Sequence, residues 1–470
     1  MATTLLAGIA RADITPPIGI AHANWGAQTH ERAAGIDLPL ELTALALSDG
    51  DATSVIIDIA CCWLWGGTAA QVLASVLELT GLPDYAVRLS YTHTHSGPTG
   101  GSDQSWVTGG AEMVDSYIAG LGHKAAGAAW AALRDMQRVR IAGAVGESTI
   151  SVNRRFPRPG DGAIVVGRNW EGLVNREVNV LRLDTMDGKP FAAIVHFGCH
   201  PITVGPDNDQ ITPDYPGVVK QVVEANTGAP TVFLQGAAGD IGPVRGVARD
   251  GANQYRRLGA MLGLEAAKLW WEADPVPTQE TYVGTLESGA PLAQYEDTPL
   301  PDRAAAVRVA RTIVHLPMKE PGDEAALKEA LDTHNHELAE LRAAGADAAS
   351  IRLVTMKAKR ASMRYLLAHD INRQDSWPIE LYATAIGDDI ALIGMSVEPF
   401  AAIGMAIQEG SPFARTLVSG YSGLSFAYLP TADAYPLGGY EIEITPFAPE
   451  AAEIAIAAAI DLLHQLKAQA

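Results

Sequence analysis

The sequence alternates short runs rich in Val, Ile and Leu with longer Ala-rich amphipathic stretches, and this alternation constrains the fold more than any other feature. Short apolar runs are typical of strands, and amphipathic stretches between them are typical of helices that connect the strands of one sheet. The pattern predicts an α/β fold in which helices flank a mixed β-sheet core. The predicted strands are 54–59, 86–92, 178–184, 191–196, 231–235 and 390–397, and the predicted helices are 113–136, 253–272 and 451–467.

The chain has 470 residues, which is long enough for one large domain, since length gives only a soft guide to domain number. We therefore predict a single catalytic domain over residues 1–470. Between residues 292 and 373 the strand pattern lapses, and the charged stretches 324–342 and 356–369 have helical spacing. These stretches predict a helical insertion within the domain.

Acidic side chains outnumber basic ones, with 54 Asp and Glu against 34 Lys and Arg and a formal net charge of −20. Because this surplus repels nucleic acids and anionic membrane surfaces, we expect no nucleic-acid partner.

Arg11 and Asp13 interrupt the first apolar run, which argues against a signal peptide and against membrane insertion. Three cysteines are too few for a disulfide framework. These features predict a cytoplasmic protein, and the hydrophobic content of 48% is compatible with a homo-oligomer.

Two histidines, His93 and His95, follow the predicted strand 86–92 in the segment YTHTHSGP. If this segment is extended, positions i and i+2 point to the same face, so both imidazoles project together. A metal site, or a metal ligand with an acid/base neighbour, requires such an arrangement. The alternative is a polar strand end whose histidines only form hydrogen bonds to nearby loops.

Further polar residues close other predicted strands. His196 and His200 follow an apolar run, and His200 is the better ligand because Pro201 stops the strand and leaves it at the rim. Glu398 ends the predicted strand 390–397, where a buried carboxylate needs a cation, a donor network or a helix N-terminus. Since ligands bind beyond the carboxyl ends of strands in open α/β sheets, these groups can converge in one crevice. Zinc favours imidazole and carboxylate ligands.

The loop QGAAGDIGP (235–243), which contains Asp240, follows the predicted strand 231–235. Its backbone N–H groups could face an anion or a tetrahedral oxyanion. The loop has no following Lys-Ser or Lys-Thr pair and no GxGxxG motif, which disfavours nucleotide binding, and a GxSxG elbow is also missing from the sequence.

Taken together, these segments resemble the catalytic domain of the neutral, non-lysosomal ceramidase family of zinc amidases. The resemblance rests on the segments ADITPP (12–17), THTHSGP (92–98), Asn153-Arg154, His200-Pro201, Gly239-Asp240, 397–399 and 427–431.

The resemblance implies a site for Zn²⁺ held by His93, His200, Glu398 and Tyr428. It places His95 beside the metal as a catalytic residue, with Arg154 and Asp240 as further catalytic residues; Asp214 matches a polar loop position. Tyr421 and Tyr435 lie close to Tyr428 in the sequence, and either could take its place as the ligand.

The sequence departs from the family pattern where ceramidases carry a serine, since Gly242 stands at that position. From the short stretch after Tyr428 and from the N-terminal residues, we expect neither the family's β-sandwich domain nor its secretory segment. We therefore expect a small soluble substrate in place of a membrane lipid.

The sequence thus predicts a zinc-dependent hydrolase that cleaves a linear amide with a metal-activated water. His95 would be the general acid/base and Arg154 would stabilise the oxyanion or a substrate carboxylate. Three alternatives remain: an ester or lactone hydrolase with the same metal, a metal-dependent lyase with His95 as base, and a non-catalytic binding protein on the same scaffold.

Overall fold

The computed structural model describes residues 2–22, 24–28, 30–101, 109–245, 252–371, 373–424 and 426–469. In chain order the strands are β1 (Ala2–Asp13), β2 (Gly35–Ile36), β3 (Glu41–Ser48), β4 (Thr53–Ile59), β5 (Val87–Tyr91), β6 (Gln137–Glu147), β7 (Ser151–Pro157), β8 (Ile164–Asn169), β9 (Glu177–Thr185), β10 (Pro190–Phe197), β11 (Gln210–Ile211), β12 (Thr231–Gln235), β13 (Ile241–Pro243), β14 (Thr278–Leu286), β15 (Leu292–Pro299), β16 (Asp302–Ala304), β17 (Val307–Pro317), β18 (Ser376–Ile386), β19 (Ile390–Met395), β20 (Val397–Pro399), β21 (Arg415–Ser419) and β22 (Phe426–Leu429).

The helices within the described ranges are α1 (Gly66–Thr80), α2 (Val114–Arg134), α3 (Asp214–Thr227), α4 (Ala252–Glu272), α5 (Glu324–Ala343), α6 (Ala348–Leu366), α7 (Ala401–Gly410), α8 (Tyr440–Ile444) and α9 (Ala451–Ala468). None of these helices is both long enough and apolar enough to cross a membrane, as far as the described residues show.

Two sheets form the centre of the molecule. The larger has the strand order β12-β10-β9-β6-β1-β3-β4-β5, with β16 pairing on β1, and the second has the order β17-β18-β19-β21. Parallel pairs such as β4 with β5 and β10 with β12 stand beside antiparallel neighbours. The prediction of an α/β fold with a mixed sheet is therefore confirmed.

Buried apolar side chains fill three layers. One core joins the larger sheet to α1–α4, another lies between the two sheets, and a third joins the second sheet to α7 and α9. Most of the central strands are thus covered on both faces, which explains why they contain the apolar runs that the sequence pattern could detect.

The segment 292–373 is only partly helical. The helices α5 and α6 are confirmed, but β15, β16 and most of β17 precede them, so the expectation that strands lapse here is wrong. Strands β14 and β15 form a hairpin whose residues are almost all exposed, and β17 alternates apolar and charged residues in the run from Val307 to Arg311. Because neither strand is buried on both faces, neither has the continuous apolar run used to find the others.

Candidate active site

The predicted strand-end residues meet on one side of the larger sheet. His93 Nε2 lies 3.1 Å from His200 Nε2 and 3.3 Å from His95 Nε2. Glu398 Oε2 lies 3.4 Å from Nε2 of both His93 and His200. His93 and His200 are fully buried, and His95 and Glu398 are nearly so. The structure therefore brings together four side chains that the sequence separates by up to 305 positions.

The local geometry at His93 differs from the expectation. β5 ends at Tyr91, and His93 has φ of 70°, in the left-handed region that non-glycine residues seldom adopt. The two imidazoles do converge, but a turn in the backbone brings them together, not an extended strand. Tyr421, which packs against the His93 ring at 4.3 Å between centroids, is also left-handed, with φ of 52°. Strained residues of this kind are often found at functional sites.

Backbone carbonyls fix the tautomer of each imidazole. A carbonyl oxygen can only accept a hydrogen bond, so the Nδ1 atom that faces it must carry the proton and Nε2 must carry a lone pair. The acceptors are the carbonyls of Cys62 for His93, of Ala238 for His200 and of Asn24 for His95, at 2.8, 2.8 and 2.9 Å respectively. Three Nε2 lone pairs therefore face one small volume.

Glu398 adds a fourth acceptor. Its Oε2 atom is buried, and no hydrogen-bond donor reaches it from the described part of the chain. In the neutral imidazoles, lone pairs held this close to one another repel unless a cation lies between them, and a buried acceptor without a donor is costly. His93, His200 and Glu398 thus form a donor set that fits a metal ion, and imidazole nitrogen with carboxylate oxygen is the set that zinc takes in catalytic sites. Carbonyl partners on Nδ1 are the usual outer support of such ligands.

The three tyrosines considered as ligands have different surroundings. Tyr435 donates its hydroxyl to the carbonyl of Phe447 at 2.8 Å, and this contact points it away from the histidines. The Tyr421 hydroxyl lies 3.4 Å from His200 Nδ1, which already donates to a carbonyl. Tyr428 stacks on His200 with centroids 6.2 Å apart and lines the open pocket. Of the three, Tyr428 is therefore the residue that both adjoins the histidines and faces the substrate space.

Arg154 lines the same pocket, and its guanidinium is hydrogen-bonded to a buried carboxylate. Its Nε donates to Glu441 at 2.8 Å, and Arg155 donates to the other oxygen of Glu441 at 2.9 Å. The Arg154 guanidinium lies 5.2 Å from the centre of the Tyr428 ring, and its buried Nη2 has no hydrogen-bond partner within the described ranges. Glu441 gave no signal in the sequence, because it is 287 positions from Arg154 and belongs to no motif.

Asp240 and Asp214 are buried but do not face the pocket. Asp240 accepts from the backbone of Ala401, at the first turn of α7, at 2.8 Å and from Asn153 at 3.1 Å. Asp214 accepts from backbone N–H groups including that of Thr203, at 3.0 Å. Burial raises the pKa of each carboxyl to about 6. Both oxygens of Asp240 accept hydrogen bonds from residues next to Glu398 and Arg154 in the sequence, and its catalytic role stays a prediction.

A cavity of about 1060 Å³ opens in front of the histidines. Most of its lining is apolar. Aromatic residues cover one part, and the end of α6 with the π-helical turn that follows it forms another wall. The aromatic residues include Trp25, Trp63, Trp65, Phe156 and Trp170, and the α6 wall consists of Met363, Leu366, Leu367 and Ile371. His95, Arg154, Glu398 and Tyr428 are the polar groups at the deep end, so the reacting part of a ligand would bind there.

Comparison with known proteins supports the resemblance. No protein-family model matches the chain. Neutral ceramidase A of Dictyostelium discoideum is 27% identical over 259 residues, which cover 51% of this chain and 36% of the relative. Neutral ceramidase B of the same organism is 25% identical over 238 residues, which cover 47% of this chain and 33% of the relative. The matched segments thus span only about a third of the length of these relatives.

The fold agrees over nearly the whole chain. The crystal structure of neutral ceramidase from Pseudomonas aeruginosa matches with a TM-score of 0.67 at 18% identity, covering 99% of this chain and 75% of that one. The structure described as ceramidase complexed with C2 matches with a TM-score of 0.65 at 17% identity, covering 98% and 76%. The chain is thus similar to neutral ceramidases in sequence and has a neutral-ceramidase-like fold. This confirms the resemblance read from the motifs, and the neutral-ceramidase-like fold accounts for the convergence of the strand ends at one site.

Proposed function

We propose that the protein is a zinc-dependent hydrolase that cleaves the amide bond of a small molecule. The observation that carries this proposal is the convergence of three Nε2 lone pairs and the Glu398 carboxylate at the deep end of a large pocket. Similarity to neutral ceramidases supports the choice of an amide as the bond that is cleaved. His93, His200 and Glu398 would hold Zn²⁺, with Tyr428 as the additional ligand.

Zinc in such a site polarises a substrate carbonyl and makes a water molecule acidic enough to react near neutral pH. His95 is the group of this chain placed to move protons. Burial, together with the neighbouring His93 and Arg154, holds the pKa of His95 well below its usual range, so its imidazole is neutral at pH 7. A neutral imidazole whose Nδ1 proton is fixed by the Asn24 carbonyl has a free Nε2 that can accept a proton and return it to the leaving nitrogen.

Arg154 would stabilise negative charge as it forms on the carbonyl oxygen. Arg154 lines the pocket, its Nη2 has no hydrogen-bond partner within the described ranges, and Glu441 fixes the orientation of the charged guanidinium plane. A donor held in place before the reaction contributes more than one that must reorient.

The pocket favours a substrate with an apolar portion. Aromatic and aliphatic residues form most of its walls, and its volume suits a ligand much larger than a short polar amide. We therefore propose a small-molecule amide that carries an acyl or alkyl chain, with the amide at the histidines and the chain against Trp25, Trp63 and the α6 wall. The cytoplasmic location remains a prediction, to be tested by cell fractionation.

Metal analysis of purified variants, with hydrolysis of matched amide and ester substrates, tests the proposal. His93→Ala and His200→Ala should lose zinc and activity together, because each removes one of the convergent nitrogens. His95→Ala should keep zinc at the wild-type stoichiometry and lose at least about a hundredfold in turnover, the usual contribution of general acid/base catalysis. His123→Ala, on an exposed face of α2, is the control and should change neither quantity.

Three results would overturn parts of the assignment. A wild-type protein that contains no metal and is insensitive to chelators would exclude a zinc hydrolase. A His95→Ala variant that also loses zinc would make His95 a metal ligand, and a wild type that cleaves only the esters would change the bond assigned to the enzyme.

A further inference from the structure

A second buried polar cluster lies between the two sheets, outside the pocket. Its central residue is Arg88 of β5, whose side chain is directed at the second sheet and is 4% exposed. Gly394 of β19 has no room for a side chain, because the Arg88 guanidinium occupies that position. The guanidinium Nε donates to the hydroxyl of Ser422 at 3.1 Å. Arg88 is thus enclosed by the protein on both sides.

The remaining donors of Arg88 are not satisfied. Among the residues that the structure describes, none accepts a hydrogen bond from Nη1 or Nη2. No carboxylate in the described ranges forms an ion pair with Arg88, and burial lowers its pKa to about 10. A guanidinium is charged at neutral pH, and an uncompensated buried charge costs several kcal/mol. The cluster therefore needs negative charge from another source.

Two further hydroxyl groups with free hydrogen-bonding capacity lie on the strands on either side of the guanidinium. Ser90 is two residues from Arg88 on the same strand and so faces the same side, and it forms a β-bridge with Ser422. Ser419 pairs with Gly394 in the second sheet, beside the position that Arg88 fills. The buried Oγ atoms of Ser90 and Ser419 have no partner within the described part of the protein.

We propose that Arg88, Ser90 and Ser419 bind one small monovalent anion, such as chloride, between the two sheets. The terminal nitrogens of Arg88 supply the positive charge and up to four N–H donors, and the two hydroxyls supply further O–H donors. A monoatomic anion accepts from all of these groups at once, whereas a water molecule accepts only two hydrogen bonds and leaves the charge uncompensated. The anion would join β5, which leads to His93, to the segment after β21, which contains Tyr421.

The direct test is crystallographic. Crystals of the full protein grown in bromide, with data collected at the bromine absorption edge, should show one anomalous peak inside the cluster, between the Arg88 guanidinium and the Ser419 hydroxyl. Exchange into chloride should remove the anomalous peak and leave an electron-density peak at the same position. Density for water alone, with no anomalous signal in bromide, would overturn the proposal.

A second measurement does not require crystals. The midpoint of thermal unfolding should rise by about 1–2 °C for each tenfold increase in chloride above half-saturation, when gluconate keeps the ionic strength constant. Arg88→Met should abolish this dependence. Arg311→Met is the control, because Arg311 is paired with Asp84 and Glu380, and it should keep the wild-type slope. Equal responses of the wild type to chloride and gluconate would contradict the proposal even if the Arg88 variant fails to fold.

Discussion

Replacing Glu441 by Gln removes a buried carboxylate that holds two arginines. Glu441 is 1% exposed and accepts one charge-assisted hydrogen bond from Arg154 and one from Arg155, at 2.8 and 2.9 Å. Each such bond contributes about 1.5–3 kcal/mol; the amide of Gln keeps one neutral acceptor but has no carboxylate charge, so the loss is at most about 3–6 kcal/mol. This range agrees with the roughly 3–5 kcal/mol expected when one partner of a buried ion pair is removed. For a chain of this length, the melting temperature should fall by about 3–5 °C.

Differential scanning calorimetry and urea unfolding of Glu441→Gln measure this loss, and steady-state kinetics measures its effect on the site. Because Arg154 loses the partner that orients it, turnover should fall while zinc content stays constant. Glu443→Gln is a matched control on the same helix, since Glu443 pairs with the exposed Arg360 and such surface pairs contribute about 0–1 kcal/mol. If Glu441→Gln loses no more stability than Glu443→Gln, the buried network does not hold Arg154 as we describe.

Three further predictions concern other parts of the molecule. In Gly242→Ser the new Cβ would lie 3.3 Å from Arg154 Cβ, a close contact that a small shift can relieve. Calorimetry should therefore show a change in unfolding free energy within about 1 kcal/mol, and the rate of amide hydrolysis should increase. Misfolding of the variant would contradict this prediction. Leu366→Asp places a carboxylate in the apolar α6 wall of the pocket. It should raise the KM for a long-chain amide about tenfold without changing the zinc content. An unchanged KM would exclude this wall from the binding site. Burial, with the neighbouring His30, lowers the pKa of His22 to about 4, so its stabilising contribution is complete above pH 6.5 and is lost as the pH falls to 4. Urea unfolding should therefore show the wild type losing about 3 kcal/mol relative to His22→Gln between pH 7 and pH 4, and parallel pH curves would refute the assignment.

The sequence predicted several strands that are buried on both faces, did not name β3 and β18 although they are largely buried, and missed strands that are exposed or amphipathic. The runs that became β4, β5, β10 and β12 are mostly apolar and are buried along almost their whole length, because helices or a second sheet cover both sides of each strand. β15 lies in an exposed hairpin and β17 is amphipathic, so the same criterion predicted no strand there. The existence of a second sheet packed on the first was therefore not visible in the sequence.

At the site, the sequence by itself determined which residue types stand at strand ends, because strand ends and histidine or carboxylate identity are local properties. It therefore predicted that His93, His200 and Glu398 form one group able to hold a metal ion, and the structure brings these three side chains together. Only the tertiary structure decided that His93 reaches the site through a left-handed turn and that Glu441 accepts a hydrogen bond from Arg154 and orients it. These features depend on how segments hundreds of residues apart are placed against each other, and a local pattern of burial carries no information about that placement.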